Sequence, residues 1–146
     1  MPDYVVDATV IGFANGDIAA RRPGNVLDRR LSVIEQVVRG VRRLRYNRRL
    51  LSEYTQLVQE YRNDVIDAFF ALLDDSRRAV LVRRSTLSAG DYDTARRSCR
   101  WPTHDQHLLA AALGGDDPTI AVTEARHARC AAELLRHFGV HIENLG

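Results

Sequence analysis

The sequence predicts an α/β fold in three layers, with a central and mainly parallel sheet flanked by helices. Two observations carry the prediction. Short apolar runs rich in β-branched residues alternate with longer segments of helical period. The first run, Tyr4 to Ile11, is apolar on both parities, as expected of a strand buried on both faces of a parallel sheet. A chain of 146 residues with a 45% hydrophobic fraction can bury one substantial core and leaves little room for a second, so residues 1–146 are read as a single domain.

In chain order, the strand Tyr4 to Ile11 is broken by Asn15-Gly16 or Pro23-Gly24. Asn25 is then a candidate helix cap, with Asp28 in the first turn and Leu27, Leu31, Ile34, Val38 and Val41 stepping by four and three. Leu44-Arg45-Tyr46 reads as a short strand. Asn47 caps a second helix carrying Leu50, Leu51, Tyr54, Leu57, Val58 and Tyr61, which puts Glu53 in its second turn. Asn63-Asp64 caps a third, through Val65, Ile66, Phe69, Phe70, Leu72 and Leu73, ended by Asp74-Asp75-Ser76. Ala79 to Val82 is a short strand and Asp91 to Ser98 a short helix. Thr103 and Gln106 have capping-box spacing for a helix carrying Leu108, Leu109, Ala112 and Leu113, with Asp105 in its first turn and Gly114-Gly115 as the stop. Asp116 and Asp117 are turn residues beside Pro118. Thr119 to Thr123 is a strand, Glu124 to Phe138 a helix closed by Gly139, and Val140 to Leu145 a last strand.

No apolar run approaches the roughly 20 residues of a membrane helix, and the start lacks a secretion signal, so a soluble, cytoplasmic protein without a membrane partner is expected. The two cysteines, Cys99 and Cys130, are expected to be reduced thiols, since a domain of this size does not need a staple. All 21 basic residues are arginine, which coding bias in a GC-rich genome explains. A net charge of +2 does not by itself imply a nucleic-acid partner. The local block Arg42, Arg43, Arg45, Arg48 and Arg49 contains no acid; it is either a solvated face or a phosphate-binding patch.

Three carboxylates stand at the edges of strongly apolar segments: Asp7, Glu53 and Asp105. Such placement costs hydration unless a charge, backbone donors or a metal ion compensates. Glu124 follows the strand ending at Thr123. In parallel α/β sheets functional groups gather beyond the carboxyl ends of the strands, which gives these acids a common address. Hard cations such as Mg²⁺ and Mn²⁺ take oxygen ligands and suit phosphodiester chemistry, polarising a phosphoryl oxygen and activating water. Each acid also has a structural reading: a strand-end carboxylate for Asp7, a helix-dipole partner for Asp105, an Arg49 partner for Glu53 and a helix-start residue for Glu124. A zinc site drawn from Cys99, His104, His107, His127 and Cys130 lacks a CxxC core. Trp101 reads as a core or rim anchor, and Tyr46 among the arginines as either a packed ring or a stacking platform.

At these residues the chain resembles the PIN-domain family of metal-dependent nucleases. Asp7-Ala8-Thr9 is similar to that family's opening Asp-x-Asn/Ser/Thr motif, Leu50-Leu51-Ser52-Glu53-Tyr54 to its central Glu helix, Asp105 to Ala111 to its Asp-x-x-Leu-x-x-Ala segment, and Val122-Thr123 to its late strand. The resemblance implies a PIN-like three-layer fold and an endoribonuclease in which Asp7, Glu53 and Asp105 hold Mg²⁺ or Mn²⁺, with Glu124 as a further ligand. Thr9 and Thr123 support the site. It implies cleavage of RNA to a 5′-phosphate and a 3′-hydroxyl, often by a toxin paired with an antitoxin protein, and a homodimer. The alternative is a PIN-like RNA- or protein-binding module with little or no catalysis. The chain departs from the pattern at Ala125, where many members carry an acid two positions after the late Thr, and Glu60-Tyr61 competes with Glu53-Tyr54 for the central motif.

Overall fold

A computed structural model describes residues 1–15, 24–58 and 62–146. In chain order its elements are β1 (Asp3–Val6), α1 (Ala8–Ala14), α2 (Gly24–Val38), β2 (Arg43–Tyr46), α3 (Arg48–Leu57), α4 (Asp64–Leu72), β3 (Ala79–Leu81), α5 (Ala89–Cys99), α6 (Gln106–Ala112), β4 (Thr119–Val122), α7 (Ala125–Ala128), α8 (Ala131–Phe138) and β5 (His141–Asn144). The strands form one sheet in the order β3-β2-β1-β4-β5, with every neighbouring pair parallel. Right-handed crossovers put the helices that follow β1 and β2 on one face and those that follow β3 and β4 on the other. The fold is α/β, consistent with the three-layer, PIN-like arrangement expected from the sequence. Among the described residues no helix is long and apolar enough to cross a membrane.

The order places a topological switch between β1 and β4. From β1 the chain moves outward through β2 and β3, then returns to the opposite side of β1 with β4 and β5. Ligands of open parallel sheets bind in the crevice beyond the strand ends at such a point. Asp7 follows β1 directly, and Thr123 and Glu124 follow β4.

Several expected boundaries are corrected. The first strand ends at Val6, and Val10 and Ile11 belong to α1. Ala8, Val10, Ile11 and Ala14 are all buried, so α1 is packed nearly all round, and an apolar run on both parities fits such a helix as well as a strand. The second helix begins at Gly24, which makes Asn25 its second residue and not its cap. The Gly16 and Pro23 breaks, and the Glu60-Tyr61 alternative, lie outside the described residues. Thr103 and Gln106 form no capping box. Thr103 to Asp105 is a 3₁₀ turn, the Thr103 hydroxyl pairs with Tyr92 at 3.3 Å, and Gln106 Oε1 accepts from Leu87 N–H at 3.2 Å. Tertiary partners have taken both side chains.

The expected helix Glu124 to Phe138 is split into α7 and α8 around Arg129 and Cys130. Cys130 is joined to Cys99 in a disulfide with Cα atoms 5.3 Å apart, which corrects the expectation of reduced thiols. The bond ties the end of α5 to the α7–α8 junction.

At the amino-terminal edge of the sheet Asp3 is fully buried. It accepts from Arg43 Nε at 2.9 Å, Arg43 Nη2 at 3.2 Å and the Asp116 N–H at 2.8 Å. Arg45 donates to the carbonyls of Ala111 and Leu113 at 2.7 and 2.9 Å, satisfying the end of α6. A Cβ at Gly115 would stand 2.9 Å from Arg45 Cδ and 3.0 Å from Asp3 Oδ2, so this junction requires glycine. Arg42 stacks 4.2 Å from the Tyr4 ring centroid. The arginine block is therefore not one surface: β2 rises about 3.3 Å per residue and carries Arg42, Arg43 and Arg45 to one end of the sheet and Arg48 and Arg49 to the other.

Asn47 fixes the opposite edge. Wholly buried, it caps α3 by accepting from Leu50 N–H at 3.1 Å and donates to the carbonyls of Arg84 and His107, both at 3.0 Å. One amide thus ties the ends of β2 and β3 to α6. Asn47→Ala removes a cap, strands the buried His107 carbonyl and frees the part-buried Arg84 carbonyl, and is expected to cost about 2–3 kcal/mol. A urea titration checks this as a lowered midpoint. Reducing Cys99–Cys130, which closes a separation of 31 residues, is expected to cost roughly 3–4 kcal/mol, read as a lowered melting temperature in dithiothreitol.

Candidate functional site

Asp7, Glu53, Asp105 and Glu124 line one cavity of about 300 Å³ beyond the carboxyl ends of β1 and β4, together with Thr9, Gln56 and Arg126. Each acid arrives on a different element. Asp7 is fixed by the ladder: its N–H donates to Ala121 O at 3.0 Å, and its carbonyl accepts the first helical bond of α1 from Val10 at 2.9 Å. Glu53 is carried by α3, which is set by the Asn47 cap and by Tyr54. The Tyr54 ring is buried edge-on against Phe69, and its hydroxyl donates to Val6 O at 2.5 Å, one residue before Asp7. Asp105 ends the 3₁₀ turn before α6 and its carbonyl accepts from Trp101 Nε1 at 2.9 Å. Glu124 is the residue before α7.

The supporting contacts fall into two kinds. From the protein interior come two imidazoles and two hydroxyls. His107, on α6, meets Glu53 Oε1 through Nε2 at 2.7 Å, and His127, on α7, meets Asp105 Oδ2 through Nε2 at 2.8 Å. Both rings are almost fully buried. An ionised carboxylate only accepts, so both imidazoles carry hydrogen on Nε2. His127 Nδ1 is buried and has no hydrogen-bond partner among the described residues. The hydroxyls run in series: Thr123 lies 2.9 Å from Thr9, and Thr9 donates to Asp7 Oδ2 at 3.2 Å, so Thr123 must be the donor to Thr9.

From the solvent side come guanidinium groups. Arg49 Nε lies 3.6 Å from Glu53 Oε2, the helical-spacing pair that the structural reading of Glu53 expects. Arg126 bridges two acids, with Nε 2.5 Å from Glu124 Oε2 and Nη2 3.4 Å from Asp105 Oδ2.

Asp7 is the exception. It is 8% exposed and, among the described residues, accepts only the Thr9 hydroxyl and has no cation within ion-pair distance. Burial raises its pKa above the ordinary carboxylate value, and the negative charges of Asp105 and Glu53 push it further up, against opposing contributions from His127 and Thr9. Asp105 differs. Burial acts to raise it, but the hydrogen bond and charge of His127 and the charges of Arg126 and His107 outweigh that and hold it below the ordinary value.

Among the described residues no three His, Cys, Asp or Glu side chains already stand together as a chelating group. The donor set is nonetheless chemically suited to a hard cation: carboxylate and hydroxyl oxygens around one cavity, one of them buried without an ion pair among the described residues. The zinc constellation is not assembled, because the cysteines are bonded to each other and His107 and His127 are committed to carboxylates. Trp101 is a core residue, its ring centroid 5.0 Å from that of His127, and Tyr46 is buried with its hydroxyl 3.4 Å from Leu73 O.

Sequence reasoning missed the roles of His107, His127 and Arg126. A signal existed for His107: a polar ring among Leu108, Leu109 and Ala111 on a buried helix demands a hydrogen-bond partner. No protein-family model, curated protein or solved structure matches the chain.

Because Asp7 is buried and its folded pKa is raised, its ionisation opposes folding, and the penalty grows as pH rises from the unfolded value, near 4, through the folded one. Asp7→Asn is therefore expected to melt above the parent in EDTA at neutral pH, with the gap closing towards pH 4. Thermal melts across that range check the sign.

Proposed function

We propose that this chain is a PIN-like, metal-dependent endoribonuclease that hydrolyses RNA phosphodiester bonds at the cavity around Asp7. The observation that supports it most is Asp7 itself: a buried carboxylate facing two others, with no ion pair among the described residues. Proteins retain such a costly arrangement where a ligand repays it. Sequence similarity around Asp7, Glu53 and Asp105 supplies the choice of RNA.

Mg²⁺ or Mn²⁺ would be held by Asp7, Glu53 and Asp105, with Glu124 at the rim, and when bound supplies the charge that polarises the phosphodiester and lowers the pKa of attacking water. The chain's own residues do the rest. His107 and His127 hold the inner oxygens of Glu53 and Asp105 in place. The Thr123–Thr9 hydroxyl pair orients Asp7. Arg48 and Arg83 share a groove of about 410 Å³ floored by Leu81 and Val82. Both are exposed and, among the described residues, form no ion pair, in contrast to Arg43 and Arg45. They lie just beyond the carboxyl ends of β2 and β3, the same edge as the acids, and suit the guidance of a phosphate backbone.

A second reading, a binding module without turnover, is favoured by one contact: Arg126 already neutralises Asp105 and Glu124.

Cleavage of a fluorescent single-stranded RNA with Mn²⁺ separates the two. The parent is expected to cleave, EDTA to stop it, and Asp7→Asn to lower turnover by on the order of 100-fold or more, as the loss of several kcal/mol of charge stabilisation requires. Equal cleavage by Asp7→Asn would sink the proposal, and tight binding without turnover would select the module. In anisotropy titrations with cleavage-deficient protein, reversing Arg48 and Arg83 to Glu is expected to weaken RNA binding. The slope of log K against log salt should fall by at least about 1.4, two phosphate contacts on a single strand.

A further inference from the structure

We infer that Arg126 is an internal cation that holds Asp105 and Glu124 in the absence of a divalent ion and must release them for that ion to bind. The inference rests on the metal-dependent reading above and adds a competitor within the chain. Its basis is geometric. Arg126 is the second residue of the short helix α7, with a side chain 42% exposed, and its guanidinium spans Glu124 Oε2 at 2.5 Å and Asp105 Oδ2 at 3.4 Å at the mouth of the cavity. Asp105 Oδ2 already receives His127 Nε2 from the interior at 2.8 Å, so the guanidinium crowds an oxygen whose inner side is taken. A cation of the Mg²⁺ class binds oxygen at about 2.0–2.1 Å and keeps a near-octahedral shell, which leaves no room for a guanidinium across the same two carboxylates.

The competition has a direction. Arginine keeps its charge at every accessible pH, so only displacement removes it. Being partly exposed, it can swing outward on its three-carbon stem without opening the core. Asp7 lies inside, buried and without an ion pair among the described residues, and would gain most from the exchange. Once released, the guanidinium sits at the entrance, where a phosphodiester would arrive, with its bidentate donors free. The residue that closes the empty site thereby becomes a candidate substrate anchor.

The test is Mn²⁺ binding, read as loss of the aquo-Mn²⁺ electron paramagnetic resonance signal and repeated by calorimetry, in the parent, Arg126→Ala, Arg126→Gln and Arg126→Lys. If the acids are held by Arg126 about nine-tenths of the time, removing it tightens the apparent Kd roughly tenfold. Arg126→Gln should follow Arg126→Ala, and Arg126→Lys should fall between because one ammonium cannot span both acids in the same way. Titrating diamagnetic Mg²⁺ into the ¹⁵N-labelled parent is expected to shift the Arg126 Nε–H resonance as its ion pairs break. Cooperative melting of each variant establishes that it is folded. Unchanged or weaker Mn²⁺ binding by both folded Arg126→Ala and Arg126→Gln, or an unmoved Nε–H signal at saturating Mg²⁺, overturns the inference and leaves the metal reading standing. Failure of parent and variants alike to take up Mn²⁺ at millimolar concentration overturns both.

Discussion

Three carboxylates held around one cavity at the end of a parallel sheet are the constraint from which the rest of this structure follows. Their mutual repulsion and lost hydration oppose folding, and Asp7, with a single hydroxyl donor and no ion pair among the described residues, bears most of that cost. The surrounding architecture supplies the offset. Tyr54 links the Glu53 helix to the strand that precedes Asp7, Asn47 ties that same helix to α6, and His107 then joins α6 back to Glu53. Each contact connects a helix from one layer to the sheet or to the other layer, so the acids cannot separate without breaking the packing that defines the fold.

The two ends of the sheet divide the labour. At the amino-terminal edge, Asp3 is as buried as any residue in the chain, yet two arginines and a backbone N–H satisfy it; it is a structural ion pair with its donors in place. At the carboxyl edge, Asp7 is nearly as buried and, among the described residues, lacks that compensation. The contrast between the two aspartates, four residues apart at opposite ends of β1, separates a carboxylate whose charge is compensated within the fold from one the fold must accommodate. It also explains why the arginine-rich segment Arg42 to Arg49 is not a single binding surface.

Local signals were legible in the sequence; signals that depend on distant partners were not. Asn47 and Asn63 cap α3 and α4 where the sequence places them, because a cap needs only its own side chain and an N–H three residues on. The same logic failed at Thr103 and Gln106, whose side chains found Tyr92 and Leu87 across the fold. The boundary between β1 and α1 was invisible because a doubly buried strand and a helix packed nearly all round present the same apolar run. The acids were findable from the unfavourable placement of charge beside apolar segments. Their histidine partners were not, since nothing in the sequence pairs His107 with Glu53 rather than with a cysteine. The Cys99–Cys130 bond was missed for a related reason: the domain's size argued that no staple was needed, whereas the fold brings the α5 end against the α7–α8 junction.

The support of the acids is asymmetric, and the asymmetry bears on how such a site can accept a ligand. On the inner side, the groups that touch Glu53 and Asp105 are imidazoles, which have two rotatable bonds, are nearly fully buried and donate from one fixed nitrogen. On the outer side, the groups are guanidiniums on long, solvent-reaching stems, Arg49 at 56% exposure and Arg126 at 42%. Rigid donors set the direction of the carboxylates; mobile ones cover the oxygens that face the cavity. A cation entering from solvent would therefore meet groups that can leave without a cavity opening behind them, while the histidines that aim the carboxylates stayed in place. Were the order reversed, with arginines inside and imidazoles at the rim, charge neutralisation would be the same but any exchange would require repacking of the core.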